Sequence, residues 1–257
     1  MLKYPSPFKG LTHFEGIFML LNPEVFGMEH IVFLVVFLVI GIGSLILAKL
    51  KFKTEKSQWI YMRVLAALTI AFNILTRIGV GIDHNRWMDV IPNTFCSLTG
   101  FLFPIAVLIG KKDLKVFHGL WYMAFVGGIA SIIYADFIGQ AATIWHINTI
   151  GALLYHGIMF ILSIATGMFK VFRPSLKKSH WFPLVTCVYI ALGAIELNYL
   201  GFNNAMCIRS ALIGGTPLYS WFILLVGAAL VYLAAFLYEY FPKLISKIKS
   251  KKAQSKQ

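Results

Sequence analysis

Four side chains are too polar for the apolar runs that carry them: Arg77, Cys96, His156 and Glu196. Ionisable groups inside a bilayer are costly and face a bundle interior or a water-filled cavity. Together these four offer three kinds of chemistry. A thiol and an imidazole within reach of each other form a nucleophile and its base. A guanidinium grips a phosphate through its planar fork. A carboxylate, from Glu196 or Asp136, orients the imidazole or neutralises the guanidinium. The same layer suits a solute site equally well. Each group also has a plainer role: a packing cysteine, a hydrogen-bonded core histidine, or an arginine that snorkels to headgroups or sits in a structural ion pair.

Their neighbours recur at helical spacing. Arg63, Ala66, Ile70, Asn73, Arg77 and Gly81 step by three and four, which puts Asn73 and Arg77 on one helix face. Asn93, Cys96, Ser97, Gly100 and Pro104 form a second small-polar stripe, and Thr149, Ala152, His156, Ser163 and Gly167 a third. Such small residues also permit close helix packing. Asn73 or Asn93 would serve as a donor to an oxyanion. Asp83, His84 and Arg86 read as ordinary loop polars. His84, His146 and His156 lack metal-ligand spacing, and three scattered cysteines make neither a disulfide framework nor a zinc site. No cofactor is implied.

The elements that must position these groups are apolar helices. The 257 residues are 59% hydrophobic and 13% charged, with mean hydropathy +0.77. A soluble domain carries about 25% charge. A bilayer needs about 20 apolar residues per helix, and seven runs qualify: His30–Ala48, Trp59–Ile82, Val90–Ile109, Val116–Ile138, Ile147–Phe169, Trp181–Leu200 and Leu218–Phe241. Only helices satisfy isolated backbone in lipid. The reading is an all-α, seven-helix transmembrane bundle over 29–241. An interfacial segment 1–28 precedes it, and a basic tail 242–257 follows, read as a solvated helix end.

Seventeen of the 23 lysines and arginines lie near 49–56, 111–115 and 170–178 and after Phe241. Basic loops resist translocation and stay cytoplasmic. The tail is then inside and the N-terminus outside. The net charge of +13 follows from this bias and needs no nucleic-acid partner, though the tail also suits anionic lipid. In this topology Arg77, Cys96, His156 and Glu196 all fall in the outer half of the membrane. Cys96 is expected about 9 Å deep and His156 about 15 Å deep at the helical rise.

Three stretches carry a resemblance: Pro92-Asn93-Thr94-Phe95-Cys96-Ser97 with Pro104 following, Tyr155-His156-Gly157, and Asn198-Tyr199 followed by Gly214-Thr216-Pro217. In this order they resemble the bacterial YwaF-like integral membrane family, related to transmembrane protein 164 of animals, over about 60–241. The resemblance implies a bacterial plasma-membrane location and phospholipid or lysophospholipid partners. It also implies acyl transfer between phospholipids through a cysteine, which corresponds to Cys96, with His156 as the family histidine. Bacterial members often read Pro-Leu-His-Leu-Cys, and here Thr94 stands in place of that histidine. A more distant similarity to membrane lipid hydrolases that use a Thr–His pair makes Thr94 an alternative nucleophile. The leading expectation is therefore a lipid acyltransferase or hydrolase, with Arg77 on the phosphate. The alternative is a solute transporter or lipid-binding protein built on the same polar layer.

Overall fold

A computed structural model describes residues 27–83, 85–134, 144–212 and 216–254, by backbone alone from residue 243. Asp136, His84, Gly214 and the segment 1–26 lie outside the described residues.

Among the described residues seven long helices follow one another: α1 Met28–Lys51, α2 Glu55–Asp83, α3 Phe95–Ile109, α4 Phe117–Ile133, α5 Ile147–Met168, α6 Trp181–Tyr199 and α7 Ser220–Gln254. No strand occurs among the described residues. Among the described residues five helices are long and apolar enough to cross a membrane, and α3 and α4 are shorter apolar helices. The chain is a multi-pass helical membrane protein.

The third element differs from expectation. Residues 87–90 form a 3-10 turn, 91–94 are non-helical, and α3 begins only at Phe95. The reason is local. The Thr94 side chain accepts from the Ser97 N–H while the Ser97 hydroxyl accepts from the Thr94 N–H. This reciprocal capping box fixes a helix start. The fourth element likewise stops at Ile133. At the other extreme α7 continues past Pro242 to Gln254, so the basic tail extends the last helix.

The centre of the bundle is α5, buried at most of its positions. It packs on α2 and α4 and, less extensively, on α1. Glycines allow the close approach. A Cβ on Gly151 would meet the Thr76 hydroxyl at 2.7 Å, and one on Gly157 would meet the Phe37 ring at 2.5 Å. The family-like Gly157 therefore serves the α1–α5 contact. Without a hydrophobic drive between helices in lipid, this backbone proximity supplies the packing. The core includes Met62, Phe103, Phe117, Leu120, Met159 and Leu162. The outward faces of α1 and α7 carry exposed Val36, Val39, Leu225 and Leu233, as lipid contact requires.

Candidate functional site

The capping box that starts α3 also places Cys96. The thiol is the second residue of the helix, half-buried, on its first turn. Ser97 and Leu98 donate their N–H groups to the Thr94 side chain and carbonyl. Phe95 and Cys96 have no intrahelical acceptor, as for any first turn. A helix start favours negative charge.

Helix α4 supplies the floor. A Cβ built on Gly127 would lie 3.1 Å from Cys96 Sγ. One built on Gly128 would lie 2.8 Å from the His156 carbonyl oxygen. Cys96 and the His156 backbone thus rest against successive residues of one helix. Among the described residues no hydrogen bond joins the Cys96 thiol to the His156 imidazole, whose Nδ1 bonds the Ala152 carbonyl. Gly127 is six residues before the end of α4, or about 9 Å along it.

The tautomer of His156 follows from its hydrogen bond. Nδ1 is 2.8 Å from the Ala152 carbonyl, and a carbonyl only accepts, so Nδ1 carries the proton. Nε2 then holds the lone pair of a base. The residue is buried, and the Tyr155 ring packs on it at 3.9 Å between centroids. The Ala152 carbonyl, on the same helix, orients this imidazole; the sequence had suggested a carboxylate for that role.

Arg77 lies in the neighbourhood of His156 and Tyr155. Its Nε is buried without a hydrogen-bond partner. Asn73 is fully buried, and its amide donates to the Ser97 carbonyl at 2.8 Å. That bond ties α2 to the first turn of α3, while Asn73 Oδ1 remains without a partner. Thr94 is engaged in its cap. The Asn93 carbonyl accepts from the Met206 N–H at 2.8 Å. Glu196 is buried with Oε2 unpartnered. Among the described residues neither it nor Arg77 makes an ion pair with the other. Asp136 is outside the described residues.

Sequence reasoning did not single out Ser131, whose hydroxyl is within hydrogen-bonding reach of the Cys96 thiol. It also passed over Gly127, and Tyr189, which is buried, hydrogen-bonds Thr99 at 3.2 Å and packs at a tilt on the Phe95 ring, 5.8 Å between centroids. The Gly127-Gly128 pair was the available signal, since adjacent glycines in an apolar helix mark close approach on two faces.

The connection between α6 and α7 closes this end of the bundle. Met206 and Cys207 take φ of 46° and 54°, a conformation uncommon for residues other than glycine. Met206 packs on Gly193, well inside the end of α6, where a Cβ would meet it at 2.8 Å. The Cys207 carbonyl accepts from the Ser220 N–H. Arg86 reaches across to the Gly201 carbonyl at 3.0 Å. Two non-helical segments, 91–94 and 201–207, meet here through the Met206–Asn93 bond and the packing of Ile91 on the cluster of Leu197, Phe202 and Ala205.

The fold is that of a multi-pass helical membrane protein. The chain belongs to the TMEM164 family, which it matches over residues 25–240. No curated protein and no solved structure matches it. No group of three or more potential metal ligands occurs among the described residues.

Proposed function

We propose that the protein is a membrane-embedded lipid acyltransferase that works through a thioester on Cys96, with His156 as base. The observation that carries this is the seating of Cys96 Sγ and the His156 backbone on the Gly127-Gly128 step of α4, with Nε2 as the unprotonated nitrogen. His156 Nε2 takes the thiol proton as Cys96 attacks the ester carbonyl of a phospholipid. The tetrahedral oxyanion forms near the start of α3, where free N–H groups favour negative charge. Collapse breaks the ester bond, and the departing alkoxide takes the proton from His156. A lysophospholipid hydroxyl then gives its proton to His156 and attacks the thioester. The new ester forms, and the thiolate leaves and recovers the proton. Water in place of the lysolipid gives hydrolysis. Arg77 holds the phosphate, which a guanidinium suits better than an ammonium.

The test uses purified protein, a phospholipid donor and a labelled lysophospholipid, followed by mass spectrometry. An acyl adduct on the Cys96 peptide and labelled diacyl product are expected. Cys96→Ala and His156→Ala should each abolish transfer, and the double variant should be no worse than either, because the two act as a unit. Lipid binding without adduct or transfer would favour the solute- or lipid-binding alternative and reject the enzyme.

A further inference from the structure

At the opposite, basic end of the bundle a cavity of about 410 Å³ is lined by Asp113, Lys170, Arg173, Lys178, Tyr238 and Glu239, together with Val171, Pro174 and Ser175. Its volume is that of small-molecule sites. The two acids are already engaged. Asp113 pairs with Lys178 and with His118. Glu239 accepts from the Leu176 N–H at 2.9 Å. Lys170 and Arg173 have no side-chain partner among the described residues, so the cavity's uncommitted charge is positive.

The chain accepts strain to keep a lysine there. Lys170 follows the C-cap of α5 at φ +61°. Its N–H bonds the Gly167 carbonyl and the Val171 N–H bonds the Thr166 carbonyl, which is the Schellman ending of a helix. Glycine adopts that left-handed position without steric cost, yet a lysine occupies it. Across the cavity Asp113, also left-handed at φ +54°, donates its N–H to the Val171 carbonyl at 2.8 Å and fixes the loop.

We propose that this cavity binds a phosphate-bearing anion through Lys170 and Arg173, and that the anion is an anionic phospholipid headgroup at the basic face of the membrane. Basic pockets between helices on that side suit such headgroups. The lipid source is favoured by the cavity's outer wall: Tyr238 lines it and is exposed, and the exposed Leu237 and Leu233 of α7 continue an apolar track for acyl chains.

Native mass spectrometry of the full chain in detergent, titrated with phosphatidylglycerol or phosphatidylcholine, tests this. Phosphatidylglycerol should be retained several-fold more strongly. Lys170→Gly and Arg173→Gln should each weaken its binding roughly fivefold, the effect of one cationic contact at a membrane surface. Lys170→Gly should leave the melting temperature unchanged or raised, since glycine relieves the left-handed residue, so loss of binding there is not unfolding. Lys49→Gln and Lys53→Gln, in another basic connection, should change retention less than twofold. Competition by inorganic phosphate would support an anion site whose natural occupant is free phosphate; failure to compete would assign it to the lipid headgroup. Equal retention of the two lipids, or equal losses in the Lys49 and Lys53 variants, would overturn the proposal.

Discussion

Two adjacent glycines allow the candidate site to be perturbed by one methyl group at a time. In Gly127→Ala the new Cβ stands 3.1 Å from Cys96 Sγ and meets nothing else within 4 Å. Ordinary contacts lie at about 3.5–4.0 Å, so the sulfur must retreat by about half an ångström. It is the end of a short side chain, so the helices need not part. Alanine also favours helix over glycine by up to about 1 kcal/mol, so stability should hold or rise. Reaction geometry is less forgiving, because a 1 Å displacement can cost about a hundredfold in rate. Half that displacement predicts a loss of roughly tenfold in acyl transfer. Gly128→Ala makes the contrast. Its Cβ meets the His156 carbonyl at 2.8 Å and the Phe160 Cβ and N at 2.9 and 3.1 Å. Backbone cannot rotate away, so α4 and α5 must separate, at an overpacking cost of about 1–3 kcal/mol. The assay pairs lysolipid acylation with thermal melting in detergent. Gly127→Ala should be stable and slow, Gly128→Ala unstable. A stable Gly127→Ala variant with transfer at the unsubstituted rate would refute Cys96 as the attacking group.

Three further outcomes are expected. Arg77→Lys should weaken lipid handling in a folded protein if the guanidinium fork holds phosphate; unchanged handling in a stable Arg77→Ala variant would remove that role. A cysteine introduced at Lys112 should resist impermeant reagent in intact cells while one at Arg86 reacts, because the lysine-rich connections stay inside; the reverse pattern would invert the topology. Partial burial pushes the Asp113 carboxyl up, but hydrogen bonds from Lys178 and His118 outweigh it and hold the group below the ordinary aspartate range. A depressed carboxyl contributes stability above its unfolded value that is lost as pH falls through the folded one. Melting temperature should therefore fall on acidification below about pH 4, and Asp113→Asn should lack that component while being less stable at neutral pH. An identical acid profile in both proteins would show that Asp113 contributes nothing.

The helices were legible because lipid imposes one rule on every span: continuous apolar length with basic residues beyond one end. The boundaries of α2, α5 and α6 follow it closely. The start of α3 did not, because hydropathy treats Val90, Ile91 and Phe95 alike and does not weigh the hydroxyls of Thr94 and Ser97. Polar outliers singled out Arg77, Cys96 and His156 as candidates, but not their neighbours in the structure. Ser131 and Tyr189 are commonplace in apolar helices, and Gly127 offers no side chain. Their importance arises only from which helices touch, and pairings such as Ser131 with Cys96 leave no mark on local sequence.

The late start of α3 bears on the proposed chemistry. A span running unbroken from Val90 would have buried Cys96 in mid-helix, its N–H bonded four residues back and no dipole end nearby. Ending the helix at a capped Thr94 creates a first turn inside the bundle, level with the Gly127-Gly128 floor. The exposed backbone this leaves must be satisfied, and the 201–207 segment does so through the Met206–Asn93 bond. The left-handed Met206 and Cys207 therefore follow from the same need: a connection short enough to reach into the bundle, and bent sharply enough to return to the start of α7, where the Cys207 carbonyl meets Ser220. If Cys96 is the nucleophile proposed above, this placement at a helix start offsets in part the cost of charging a thiol in an apolar setting.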